Sequence, residues 1–338
     1  MKACRMLACL LFCGVNVAHA QSSVTLYGII DEFVQYANTG RGYSAAVQSS
    51  GQWASRFGLR GSEDIGAGTK INFVLENGFV PNTGGFADPT SIFNRQAWVG
   101  ASGGWGEVRL GRLNSPLFIT EWRVDAFAAV TQASGLDNLS TYTIRTSNTA
   151  AYISPTYAGL QASVYAGLGT SGGFREPGSN YQFSVTYDHG PVAASYAQQA
   201  VWSATGNALD KSAFASLSYA FSSATVYLGY HSADWANINI KIRAYSLSMK
   251  YQFTPASFLS LGGAYLHDRT SLGNDAGQIS AMYQYLLSKR TNVYAAVSFL
   301  KNKNTSSRTL AGAANAGPAL AYPGADARGI QVGFVQKF

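Results

Sequence analysis

The chain has 338 residues and is poor in charge: Asp, Glu, Lys and Arg make up 12%, against 47% hydrophobic residues, with 36 Gly, 20 Tyr and 18 Phe. That charge content is about half the roughly 25% of ordinary globular chains, which argues against a soluble enzyme and fits a β-protein with one face in lipid. The net charge of +7 is weak evidence for anionic partners.

The first predicted element is a secretory signal. Lys2 and Arg5 give its positive start, residues 6–17 its apolar core, and Ala18-His19-Ala20 its cleavage box. Residues 1–20 are expected to be removed, leaving one domain over 21–338. The apolar run is too short for a spanning anchor, which needs ~20 residues. Cys4, Cys9 and Cys13 all fall in the signal, so the exported chain carries no disulfide, and loss of Lys2 and Arg5 lowers the net charge to +5. No later segment offers the ~18 uninterrupted apolar residues of a transmembrane helix. Such a chain is periplasmic, secreted, or a barrel in the outer membrane.

From Val24 onward the polarity alternates with period two. Tyr181, Phe183, Val185 and Tyr187 alternate with Gln182, Ser184, Thr186 and Asp188, and Tyr245, Leu247, Met249, Tyr251 and Phe253 stand out in the same way. Strand side chains point to opposite faces in turn, so each segment has one apolar and one polar side. About sixteen such segments can be marked. Five precede residue 114 (23–37, 51–62, 68–80, 91–103 and 105–113), and eleven run from 146–155 to 327–338. A soluble sandwich would alternate too. Segments of about ten residues, a polar face of Ser, Thr, Asn, Gln and Arg, and aromatic strand ends favour a transmembrane barrel.

The connections alternate short and long. Pro155 to Ala158, His189-Gly190-Pro191 and Phe221-Ser222-Ser223 read as tight turns, whereas 38–50, 81–90, 114–145 and 304–327 are long. The last of these is rich in small residues and is expected to be mobile. Residues 114–145 interrupt the alternation for far longer than the 2–5 residues of a hairpin loop. They are too apolar for a solvated tail, and they are expected to fold into the bore and narrow it.

Several stretches together are similar to the general porins of Gram-negative outer membranes, in the branch with anion-favouring members. Residues 22–36 (SSVTLYGIIDEFVQY) resemble its first strand, 55–78 (SRFGLRGSEDIGAGTKINFVLENG) its second and third, and 94–112 (NRQAWVGASGGWGEVRLGR) its fourth and fifth. Residues 145–160, 288–296 (SKRTNVYAA) and the terminal Phe338 complete a resemblance that spans the mature chain. It implies an all-β fold: a sixteen-stranded antiparallel transmembrane β-barrel whose third loop folds inward. It also implies a homotrimer among outer-membrane lipid and lipopolysaccharide, with Phe338 read by the barrel-assembly machinery.

If Phe57 and Leu59 face lipid, Arg56 and Arg60 face the lumen, since arginine toward lipid would cost ~2–4 kcal/mol at the bilayer midplane. Glu107 and Arg109 face inward by the same logic. Arg95 and Arg145 match family positions that form a basic cluster with Arg56. Arg60, Arg109 and Arg112 are expected in a salt-bridged lumen wall. Glu121 and Asp125 on the interrupting loop are expected to face the cluster. Arginine suits a filter because it stays charged and its planar fork binds oxyanions; the alternative is that the arginines only pair with loop carboxylates and fix the loop. Trp122 and Arg123 depart from the family pattern, and Arg123 could weaken the acidic side or pair with Glu121.

The expected function is a water-filled outer-membrane channel for passive diffusion of small anionic or neutral hydrophilic solutes, with no cofactor, metal or nucleic acid. A substrate-specific channel is the alternative. A barrel enzyme is a weaker one, hinted at only by His267 beside Asp268, since no HExxH or CxxC motif is present.

Overall fold

The computed structural model describes residues 23–129, 131–312 and 314–338. The expected signal, its cleavage box and the three cysteines lie outside the described residues. Eighteen strand segments follow one another: β1 (Ser23–Asn38), β2 (Tyr43–Ser49), β3 (Arg56–Gly66), β4 (Thr69–Val80), β5 (Gly85–Phe86), β6 (Gln96–Gly103), β7 (Gly106–Asn114), β8 (Arg145–Ile153), β9 (Leu160–Gly167), β10 (Asn180–His189), β11 (Val192–Trp202), β12 (Leu209–Ala220), β13 (Ala224–Trp235), β14 (Ile240–Thr254), β15 (Ser257–Asp268), β16 (Ala276–Leu286), β17 (Thr291–Asn302) and β18 (Ala327–Lys337).

They build sixteen staves. β2 pairs with the upper half of β1 and β3 with its lower half, so the two are halves of one broken stave. β5 is a two-residue stub on the end of β4. Every remaining neighbour pairs antiparallel, and β1 closes on β18 from Ile29↔Lys337 to Asn38↔Arg328. Closure leaves no unpaired edge in hydrocarbon, where each unsatisfied backbone group costs several kcal/mol. The terminal Phe338 helps seal this seam. Its backbone exchanges hydrogen bonds with Gly28 at 3.0 and 3.1 Å, and its ring lies where any side chain at Gly28 would sit.

Residues 38–50 are therefore not wholly a loop, as the sequence had them. Tyr43–Ser49 forms a strand that pairs with the upper half of β1 and continues the stave of β3. Tyr43, Ala45 and Val47 share the outward face of Val34 and Tyr36, but Ala46 breaks the polar face of Ser44 and Gln48, so the pattern is short and weak. Both termini of the barrel and the short turns lie at one end, and the long connections at the other. At the turn between β3 and β4, Gly66, Ala67 and Gly68 all have positive φ (89°, 50° and 72°), which glycine tolerates on either side.

Alternation holds around the wall. In β18 every second residue from Ala327 to Val335 is buried toward the lumen and those between are exposed. Outward positions carry Leu26, Val34, Leu247 and Ile279, all more than half exposed in the isolated chain, as a lipid-facing belt requires. Inward positions carry small polar residues that bond across strands: Ser195 with Ser216 at 2.7 Å, and Ser163 with Ser184 at 2.8 Å.

The main apolar cluster is neither in the wall nor at an edge. Leu117, Val124, Leu136 and Leu139 of the interrupting loop pack against Phe214, Leu266, Leu300 and Leu310. The core thus lies between the loop and the inside of the barrel. The last long loop joins it: Leu310 is fully buried, and Arg308 donates to Ser140 O at 2.8 Å and Thr141 Oγ1 at 3.1 Å. Arg308 and Leu310 thus tie the start of 304–327 to the interrupting loop. Composition alone does not report that a neighbouring loop offers carbonyls to bind.

Candidate functional site

The interrupting loop leaves β7 at Ser115, which caps a short helix α1 (Pro116–Glu121), and returns through α2 (Gly135–Leu139) to β8. It is pinned along more than half of the inner circumference. Arg123 makes a two-pronged ion pair with Asp188 of β10, 2.7 Å on each arm. Ser246 and Ser248 of β14 and Ser260 of β15 bond the backbone at Val124 and Ala126. Gln132 donates to Ala296 O and Gly329 O and accepts from Gln35, while its carbonyl accepts from Gln278 and Ser298. Thr141 N donates to His231 of β13 at 3.0 Å. These bonds run from β10 round to β1, so the open path is left against β3, β4 and β6 to β9.

Between the loop and that open wall lies a cavity of about 480 Å³. The wall side presents Trp53, Arg56, Glu76, Arg95 and Gln96, and the loop side Phe118, Ile119, Glu121, Trp122, Asp137 and Tyr142. On the wall, Glu76 is the hub. It is 2.7 Å from Arg95 Nε and 3.3 Å from Arg56 Nε, and it accepts from Tyr27 OH at 2.9 Å. Register explains the convergence: Glu76 lies opposite Gly58 and Gln96 and shares the inward parity of Arg56 and Arg60. Arg95 precedes β6 and is steered by Asn94, whose side chain accepts from Gly78 N at 2.9 Å. Arg56 also donates to Ala54 O at 3.0 Å.

Arg145 stands behind this pair, within electrostatic reach of Arg95 and Glu76, its guanidinium 5.3 Å from the Phe118 ring centre. Its Nε is buried without a hydrogen-bond partner among the described residues, and Arg145 does not line the cavity itself. Arg60 has inward parity and stacks on Tyr27 at 5.3 Å. Arg109 pairs with Glu107 at 2.7 Å and stacks on Trp98 at 4.5 Å.

Arg112 is placed otherwise than the sequence had it. Its parity is that of Val108 and Leu110, and Leu113, 2% exposed, takes the inward position in step with Arg109 and Gly111. Arg112 donates to Asn94 O at 2.9 Å and Ser147 Oγ at 2.8 Å outside the lumen wall.

The loop acids also separate. Glu121 lines the cavity and accepts from Tyr142 OH. Asp125 does not face the arginines. It turns into its own loop, accepting from Phe127 N at 3.0 Å, Ala129 N at 3.1 Å and Ser134 Oγ at 2.5 Å. A carboxylate followed by closely spaced amides organises a turn before it can reach across a gap. The acid beside Glu121 is instead Asp137. Burial pushes both carboxyls up, Glu121 well above the usual range and Asp137 to about 7. The two are within hydrogen-bonding reach, and Glu121 Oε1 has no partner if both are ionised. A proton held between them satisfies it.

Sequence reading missed Glu76, Asp137 and Trp53. Glu76 carried a usable signal, because Lys70, Asn72, Val74 and Glu76 share one face of β4. Asp137 carried none, since its place depends on how the loop folds. Arg123 pairs with Asp188 rather than Glu121, because the loop carries it to the far wall. Among the described residues no group of three or more His, Cys, Asp or Glu is placed to hold a metal.

A profile of the Gram-negative porin family matches residues 6–305. Outer membrane porin protein 32 of Delftia acidovorans is 32% identical, with 98% of this chain and 99% of that one aligned. Major outer membrane protein P.IB of Neisseria meningitidis serogroup B is 24% identical over 88% of this chain and 94% of its own. Among solved structures, the anion-selective porin from Comamonas acidovorans superposes with a TM-score of 0.79 at 30% identity, covering 94% of this chain and all of that one. A trimer form of OmpT of Vibrio cholerae superposes at 0.69 with 12% identity, covering 94% and 99%, a likeness of fold alone.

Proposed function

Because the chain belongs to the Gram-negative porin family, whose barrels let small hydrophilic solutes diffuse passively across the outer membrane, we propose that this channel favours anions and that Arg56 and Arg95 are its filter. The observation that carries this reading is the charge balance across the cavity. Two guanidiniums on the wall, with Arg145 behind them, share one carboxylate, Glu76. The loop acids opposite are buried and shifted toward their neutral forms. A rim of positive charge over a partly neutral counter-wall raises the local concentration of anions. Arg60 extends the positive wall, Arg109 is balanced there by Glu107, and Arg145 supports the field from behind. The likeness to the anion-selective porin from Comamonas acidovorans supports the anion preference.

The same reading includes export with removal of residues 1–20, assembly as a homotrimer, contact with lipopolysaccharide, and recognition of Phe338 by the assembly machinery.

The test is the reversal potential of the purified channel in a planar bilayer under a KCl gradient. Anion preference is expected, and replacing Arg56 and Arg95 with Gln lowers the anion-to-cation permeability ratio by about fivefold per charge, since two charges ~4 Å apart in water interact by about 1 kcal/mol. A cation-preferring wild-type channel, or a double variant with unchanged reversal potential, refutes the assignment.

A further inference from the structure

Most large exposed apolar side chains of this barrel face lipid, but Trp122 (54%), Ile119 (41%) and Ile144 (38%) line the constriction cavity instead. Apolar surface grouped in an aqueous passage marks a binding surface rather than chance exposure. The indole is held in place: the Arg123 guanidinium lies 4.7 Å from the ring centre, and that guanidinium is fixed to the wall by Asp188. The ring is a fixed platform. Across the gap, Arg95 uses Nε on Glu76, and its two terminal nitrogens have no partner among the described residues. The cavity therefore offers guanidinium donors on one side and an indole with two isoleucines on the other.

We propose that the constriction prefers monocyclic aromatic carboxylates among the anions it passes, the carboxylate resting on Arg95 and Arg56 and the ring on Trp122. This deepens the anion-favouring reading of the same site and rests on it. An inorganic anion uses only the arginine side. A dicarboxylate brings its second charge against Glu121 and Asp137, where it is repelled or desolvated. An aromatic monocarboxylate meets a complementary surface at both ends. A channel needs such contact to be weak enough for release, and stacking on one ring meets that need.

Planar-bilayer recordings of the full channel in KCl, with benzoate or formate added, test the proposal. Benzoate is expected to reduce chloride current with a saturating concentration dependence, and formate, of equal charge, is expected to show no saturation. Trp122→Ala should raise the half-blocking benzoate concentration by about fivefold, the scale of one lost aromatic contact, and Trp122→Phe should stay within about twofold of wild type. Equal behaviour of benzoate and formate on the wild-type channel overturns the proposal even if no variant folds. So does an unaltered benzoate response in Trp122→Ala. The KCl reversal potential of the wild-type channel separates the two readings: if it is cation-preferring, the anion reading fails, and if it is anion-preferring without benzoate saturation, only the present proposal fails.

Discussion

The barrel side of the constriction and its loop side hold charge in different ways. On the barrel, Arg56 and Arg95 keep their charges at the edge of the lumen and share a single carboxylate, Glu76. On the loop, Glu121, Asp125 and Asp137 are taken up by local partners: a tyrosine, backbone amides, a serine and one another. The wall sets the field and the loop sets the shape. The reason is geometric. Strands fix which face a side chain takes, so wall charges project into the lumen, while a folded loop has many nearby amides with which to satisfy its own acids.

Breaking the wall's hub should have the largest effect. Glu76→Ala leaves two guanidiniums side by side without their shared counter-ion, and unpartnering a buried charge costs about 3–5 kcal/mol. A lower unfolding temperature of the detergent-solubilised barrel is expected, together with stronger anion preference; an unchanged melting profile contradicts the hub role. Breaking the loop's internal acid comes next. Asp125→Ala removes the acceptor for Phe127 N, Ala129 N and Ser134 Oγ, at about 1–3 kcal/mol for buried donors left unmade. Open-channel current noise should rise while the reversal potential stays near wild type; a reversal shift as large as that of the arginine double variant would place Asp125 in the field after all.

The smallest effect sharpens the comparison through pH. Asp137 is pushed up to about 7 by burial, so the loop gains negative charge as pH rises through that value and loses it as pH falls. Anion preference should therefore strengthen from pH 8 to pH 6, by no more than about fivefold for one charge. Asp137→Asn should flatten the profile, and a wild-type profile that is already flat counts against a titrating loop.

Much of this was legible in the chain. Period-two alternation gave the staves, their faces and the inward parity of Arg56, Arg60 and Arg109, because pleating allows no other arrangement. Carried on from Glu107 and Arg109, the same count puts Arg112 on the outward face with Val108 and Leu110, against its expected place in the lumen wall. It missed Tyr43–Ser49, where the segment is short and Ala46 breaks the polar face of Ser44 and Gln48. For Asp125 and Asp137 no periodic rule applied, and residue type alone assigned the cavity to the wrong one of the two.

The sequence by itself determined a closed wall with water inside and hydrocarbon outside, since an arginine or an apolar residue on the wrong face is costly and the alternation leaves one choice. Only the tertiary structure decided that Glu76 joins two arginines across neighbouring strands, that the loop turns Asp125 inward and brings Asp137 to Glu121, and that Arg308 from the last loop holds the interrupting one. Those contacts join residues up to 168 positions apart, and no local pattern in a chain encodes which of its distant carbonyls and carboxylates will meet.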